Sequence, residues 1–190
     1  MAETRSGASR FKLSTIGVPA LLVVVIALAA LSYVASKATI IVGPMYAVPG
    51  AKDVGNTFSV PWRTGTEIAI IATFTPSRAV RVRSISLEGL DPKDAIIETA
   101  EYGFWDGRTS LPSFSSETDP LPTFLHPRPI RGSFAAPAES RVFVRLVVRA
   151  IADAQVSYEI TGMYVDAESW SWAHTTFVPF QEPVKVVRPG

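Results

Sequence analysis

Residues 141–165 read RVFVRLVVRAIADAQVSYEITGMYV, and their alternation decides the fold class. Val142, Val144, Leu146 and Val148 take every second position, alternating with Arg141, Phe143, Arg145, Val147 and Arg149. Further on, Val156, Tyr158 and Ile160 alternate with Gln155, Ser157 and Glu159. Successive side chains of an extended chain point to opposite sides, so a period of two gives each run one apolar face. The Ile151-Ala152-Asp153 link predicts an antiparallel hairpin between the two runs. A register that keeps both apolar sets inward places Arg145 opposite Glu159 and Leu146 opposite Tyr158.

The same pattern extends upstream. Residues 67–74 (EIAIIATF) put Ile68, Ile70, Ala72 and Phe74 on one face. Residues 80–87 (VRVRSISL) begin with apolar side chains at even positions and switch to odd ones at Ile85 and Leu87, which predicts a β-bulge or a change of contacts midway. Residues 95–102 (AIIETAEY) read as a further strand, with a helical turn as the alternative, and 39–42 (TIIV) as a short first strand. Between them 43–66 is mainly loop, punctuated by Pro44, Pro49, Gly50, Gly55, Pro61 and Gly65. The extended stretches 175–180 and 183–187 carry Pro179 and Pro183, which belong at a sheet edge because proline donates no ladder hydrogen bond. Six to eight strands with turn residues between them predict a mainly β domain, an antiparallel sandwich of immunoglobulin-like kind, though without the cysteine pair and central tryptophan of antibody domains.

Residues 16–35 (IGVPALLVVVIALAALSYVA) carry no charge. At about 1.5 Å per residue such a helix matches the roughly 30 Å hydrocarbon layer of a bilayer. Gly17 and Pro19 fall in its first turn, where a missing N–H costs nothing, and Tyr33 lies near the other end, as interfacial aromatics do. Arg5, Arg10 and Lys12 precede the run against Glu3, while Lys37 alone follows it closely, so the positive-inside rule puts the N-terminus in the cytoplasm. A cleaved export signal ending at Val34-Ala35-Ser36 is the rival reading, but the apolar run is longer than such signals need. The expected organisation is a basic cytoplasmic tail at 1–15, a single-pass transmembrane helix or signal anchor at 16–35, a linker at 36–66 and an extracytoplasmic sandwich at 67–190 of a plasma-membrane protein.

The composition narrows the function. Eighteen basic against seventeen acidic residues leave a net charge of +1, so no single-sign field points to nucleic acid. Cysteine is absent, which excludes disulfides, thiolate metal sites and cysteine nucleophiles. Abundant alanine, valine, arginine and proline point to a GC-rich bacterial genome. In layout the chain resembles the small single-pass membrane proteins with an immunoglobulin-like outer domain found in high-GC Gram-positive bacteria. The resemblance implies an envelope location and transfers no functional residues.

Reactive chemistry is sparse. His126 and His174 have no ligand at a metal-site spacing, so neither a metal nor a cofactor is expected. Asp91, Asp94, Glu98 and Glu101 surround Gly89 and Pro92 and read as a solvated turn, and no catalytic or phosphate-binding motif occurs. Arg78, Arg81, Arg83, Arg141, Arg145 and Arg149 suggest a basic stripe on an outer sheet face, or simply solvated strands. Residues 103–128 (GFWDGRTSLPSFSSETDPLPTFLHPR) lack periodicity yet keep Phe104, Trp105, Phe114, Phe124 and Leu125, more apolar surface than a solvated linker needs. They are expected to cover an open end of the sandwich, or else to bind a partner. Trp170 and Trp172 share a side if 166–174 (DAESWSWAH) is extended; they are expected to pack across the turn after the 155–165 strand, or else to stack on a sugar or on a partner's side chains. The expectation is a non-enzymatic accessory or assembly protein, held to membrane lipid through 16–35 and contacting another envelope or membrane protein. A glycan-binding module is the alternative, and an enzyme with an unfamiliar carboxylate site comes last.

Overall fold

The computed structural model describes residues 17–36, 38–43, 52–53, 58–105, 107, 121–170 and 172–188. Two compact units divide after Ser36. In the first, helix α1 (Gly17–Ser36) runs for 20 residues, and its side chains are described over 21–34 only. All of those side chains are exposed, including Leu21, Val25 and Leu31. Among the described residues no helix is long and apolar enough to cross a membrane. The basic residues Arg5, Arg10, Lys12 and Lys37 lie outside the described residues.

The second unit is built of strands β1 (Ile40–Val42), β2 (Lys52–Asp53), β3 (Phe58–Pro61), β4 (Glu67–Pro76), β5 (Val80–Glu88), β6 (Ala95–Trp105), β7 (Arg128–Pro129), β8 (Phe134–Ala136), β9 (Arg141–Ala150), β10 (Tyr158–Ser169) and β11 (Trp172–Val187). One sheet has the order β1-β4-β9-β6-β7 and the other β2-β3-β11-β10-β5-β8. Neighbours are antiparallel except β3 and β11, whose parallel ladder joins Phe58–Pro61 to 184–187. The sheets enclose one core: Ile68, Ile70 and Phe74 of β4 with Val144 and Leu146 of β9 from one side, and Met163, Val165 and Val184 from the other. This is a mainly β sandwich, as the alternation predicts. It holds more strands than the six to eight expected, because several are short edge pieces without a repeat of their own.

Three local expectations meet the structure closely. The phase switch in β5 is a bulge at Arg83: Val82 pairs with Ala167 and Ser84 with Asp166, leaving Arg83 as the extra residue. Residues 95–102 are strand, within β6. Pro179 and Pro183 lie on the part of β11 that has no β3 neighbour, since β3 reaches only 184–187.

The hairpin across 151–153 does not form. Strand β9 pairs with β4 and β6, whereas β10 pairs with β5 and β11, so the two strands lie in different sheets. Their apolar faces meet across the core instead of side by side, and a period of two is the same in both arrangements. The connection crosses one end of the sandwich, where Ile151 and Ala152 donate backbone hydrogen bonds to Asp94 O, and Ala154 donates to Trp62 O. Thr64 N also donates to Asp153 Oδ1 at 2.7 Å. Arg145 consequently faces Glu101 rather than Glu159, and its Nη1 donates to Glu101 Oε1 at 2.8 Å with Arg145 only 9% exposed. Glu159 pairs with Lys185 and Tyr158 with Val186. Part of the stretch that reads as loop also carries core: Trp62 and Val60 are buried, with β3 aligned on β11.

Candidate functional site

The candidate aromatic residues separate by environment. Phe104 packs on the main core and meets Tyr102 edge-on, with ring centres 5.6 Å apart. Trp105, at the end of β6, joins a second cluster on the outer face of the first sheet, formed by Ile71, Phe143, Leu121 and Leu125, while the Arg141 guanidinium lies 5.0 Å from its ring centre. The segment around the 3-10 turn at Thr123–Leu125 therefore covers a sheet face rather than an open end. That is why Ile71 of β4 and Phe143 of β9, on the face turned away from the main core, are apolar and buried. Gly103 permits the close approach, since a Cβ there would lie 2.7 Å from Leu125 O. Phe124 is 39% exposed on the outside of this segment. Phe114 lies outside the described residues.

Trp170 and Trp172 sit elsewhere, at the tip of the β10–β11 hairpin. Ser169 pairs with Trp172, so the chain reverses here and the two rings do not share the side of one strand. Trp170 takes φ 52°, the left-handed region that a residue with a Cβ enters at a cost of about 1–2 kcal/mol, and its side chain is 83% exposed. Trp172 is 43% exposed. The reversal is not legible in the sequence because hairpin turns usually announce themselves with Asn or Gly.

Beside the tip, the second sheet carries a shallow groove of about 440 Å³ lined by Arg83, Ser84, Asp166, His174 and Thr175. Ser84 Oγ donates to Asp166 Oδ2 at 2.6 Å, and Thr175 Oγ1 donates to the other oxygen. These two hydroxyls hold the Asp166 carboxyl below the usual carboxylate range. Arg83 Nη2 pairs with Glu168 at 2.6 Å. His174 Nε2 is enclosed and meets no hydrogen-bond partner among the described residues. The hydroxyls of the groove are thus bonded to its own carboxylate. Its serine proton is committed to a carboxylate rather than to a histidine base, the opposite of nucleophile activation.

The arginines form no single stripe. Arg81 and Arg83 belong to the second sheet, and Arg141, Arg145 and Arg149 to the first, where Arg145 pairs with Glu101 and Arg149 with Glu98 at 3.2 Å. Asp91 and Asp94 lie in the turn before β6, where Asp94 N donates to Asp91 O. Among the described residues no group of three His, Asp or Glu side chains is placed to hold a metal ion.

No family model matches the chain, and no curated protein matches it. Among solved structures it is similar to the crystal structure of a protein designated membrane-anchored from Corynebacterium diphtheriae, at 14% identity and a TM-score of 0.38. The likeness covers 80% of this chain and 36% of that one. It carries no argument about function.

Proposed function

We propose that the chain is a non-enzymatic, membrane-anchored accessory or assembly protein of a bacterial envelope. In this reading residues 16–35 are a single-pass anchor with the basic tail in the cytoplasm, and the sandwich works outside the plasma membrane by contact with another envelope or membrane protein. The observation that carries it is the charge-free sequence of residues 16–35; over 21–34, the part of α1 with described side chains and by itself shorter than a span, every side chain is exposed, whereas a helix of a soluble domain keeps a polar face. The strand orders β1-β4-β9-β6 and β11-β10-β5 support the immunoglobulin-like reading, since they follow the A-B-E-D and G-F-C orders of that fold. The outer edge of β11 over 172–183 takes no strand among the described residues, and its exposed Phe177 and Trp172 suit it to receive a partner's strand.

The test is flotation of the full chain with vesicles after an alkaline carbonate wash. The chain should float, and Val25→Arg should weaken retention, because a cation at mid-helix costs about 2.5–3.5 kcal/mol on insertion scales. Release of the unaltered chain into the wash would sink the anchor. For the accessory role, a photo-crosslinker at Thr176 in cells should give one discrete product with a second protein, and finding only monomer across growth conditions would end that part.

A glycan-binding module is the second reading, favoured by the exposure of Trp170 and Trp172. It expects tryptophan emission to shift on titration with envelope polysaccharide, and an unchanged spectrum would remove it.

A further inference from the structure

We infer that the end of the sandwich where Ala38 begins is a lipid-facing surface, with Trp170 as its aromatic anchor among the headgroups of an anionic bilayer. The inference rests on the anchor reading above and adds a second, superficial point of attachment to it.

Strand register brings the relevant residues to one end. Ile40 pairs with Pro76 at the end of β4, Trp105 pairs with Arg141, and Arg81 pairs with Glu168 just before the β10–β11 tip. Thr39 O accepts from Ser77 N, and Pro76 O accepts from Glu139 N, which ties the first residues of the sandwich to the neighbouring turns. Trp170 therefore projects from the same end at which the chain joins the sandwich. In the sequence only Lys37 separates Ser36, the last residue of α1, from the buried Ala38. Two peptide steps span about 7 Å of chain at most, so the sandwich begins almost at once after the helix in sequence.

The chemistry of this end suits that position. Trp170 is the most exposed large apolar side chain described outside α1, and it is held outward by a left-handed backbone that any glycine or asparagine would adopt more easily. Tryptophan is the side chain that membrane interfaces favour, its apolar ring and N–H matching the boundary between acyl chains and headgroups. Among the described residues, Arg78, Arg81, Arg83 and Arg141 lie toward this end of the two sheets, against Glu139, Glu168 and, one rung deeper, Asp166. Arg83 is paired with Glu168, and the remaining described charges here leave one more arginine than acid, a balance that favours anionic over neutral headgroups.

The experiment uses the full chain in vesicles of phosphatidylcholine and phosphatidylglycerol carrying brominated acyl chains, which quench tryptophan on contact. Trp170→Asn keeps a residue that tolerates the left-handed backbone, and Trp172→Phe controls for the neighbouring ring; matching circular dichroism verifies both folds. Bromolipid quenching should fall at least about two-fold in Trp170→Asn but not in Trp172→Phe, as expected of an interfacial ring. It should also weaken when phosphatidylglycerol is omitted. A chain that does not float sinks the anchor itself. A chain that floats while Trp170→Asn is quenched like the unaltered protein overturns this inference alone. Quenching indifferent to phosphatidylglycerol overturns the anionic assignment, and a Trp170 emission shift with soluble envelope polysaccharide but not with lipid overturns it in favour of the glycan.

Discussion

Tyr158 shows how one half-buried group can set the alkaline limit of the fold. Its ring packs against the main core, and its hydroxyl is enclosed with no hydrogen-bond partner among the described residues. Loss of water, reinforced by Asp94 and Asp91, pushes its pKa from 10.0 up to about 12. The folded protein thus holds this proton more tightly than the unfolded chain. The resulting stability is complete below the unfolded pKa of about 10 and is lost as pH rises through the folded value of about 12. Urea midpoints should accordingly fall across that window, and Tyr158→Phe should flatten the fall while leaving neutral stability within about 1 kcal/mol, since no bond is lost. A steep alkaline fall retained in Tyr158→Phe would assign it to another group. Asp166 is shifted the other way, so its contribution is present above the unfolded carboxylate pKa and fades as pH drops through the lower folded one.

Among the elements, the segment around Thr123–Leu125 has the most readily tested packing. Leu121 and Leu125 are fully buried against Ile71 and Phe143, on the face of the sheet that would otherwise meet water. Leu125→Ala should cost about 2–4 kcal/mol and hasten proteolytic cleavage within 121–128, whereas Phe124→Ala, on the exposed side, should do neither. Equal cleavage of both variants would show that the segment is not held by this cluster. The elements also show what a sequence can report. Alternation located β4, β5, β9 and most of β10, and the phase change in β5 pointed to its bulge, because both depend only on which side of a strand is dry. Sheet membership is different. Val144 and Ile160 read alike whether their strands are neighbours or face each other, so alternation alone cannot tell Glu101 from Glu159 as the partner of Arg145. Nor could the sequence show that Trp105 would be drawn into a cluster while Trp170 stayed outside, since both sit in polar, aperiodic surroundings.

At the scale of the whole molecule, the second sheet is closed by partners far apart in the chain. Val184 and Val186 are fully buried, and their strand is the parallel neighbour of β3. A chain ending at residue 183 loses both side chains and the β3 ladder, so it should show no cooperative urea transition; a transition of unchanged steepness would mean that β3 and β11 contribute little. The same ladder sets the order of events during synthesis. Helix α1 is made early, yet the second sheet cannot close until residue 187 has been delivered, and contacts of such long sequence separation form slowly. For that interval the edge of β10 that β11 later covers is open to pairing with any extended chain nearby, so slow delivery of β11 leaves the newborn chain exposed to mispairing.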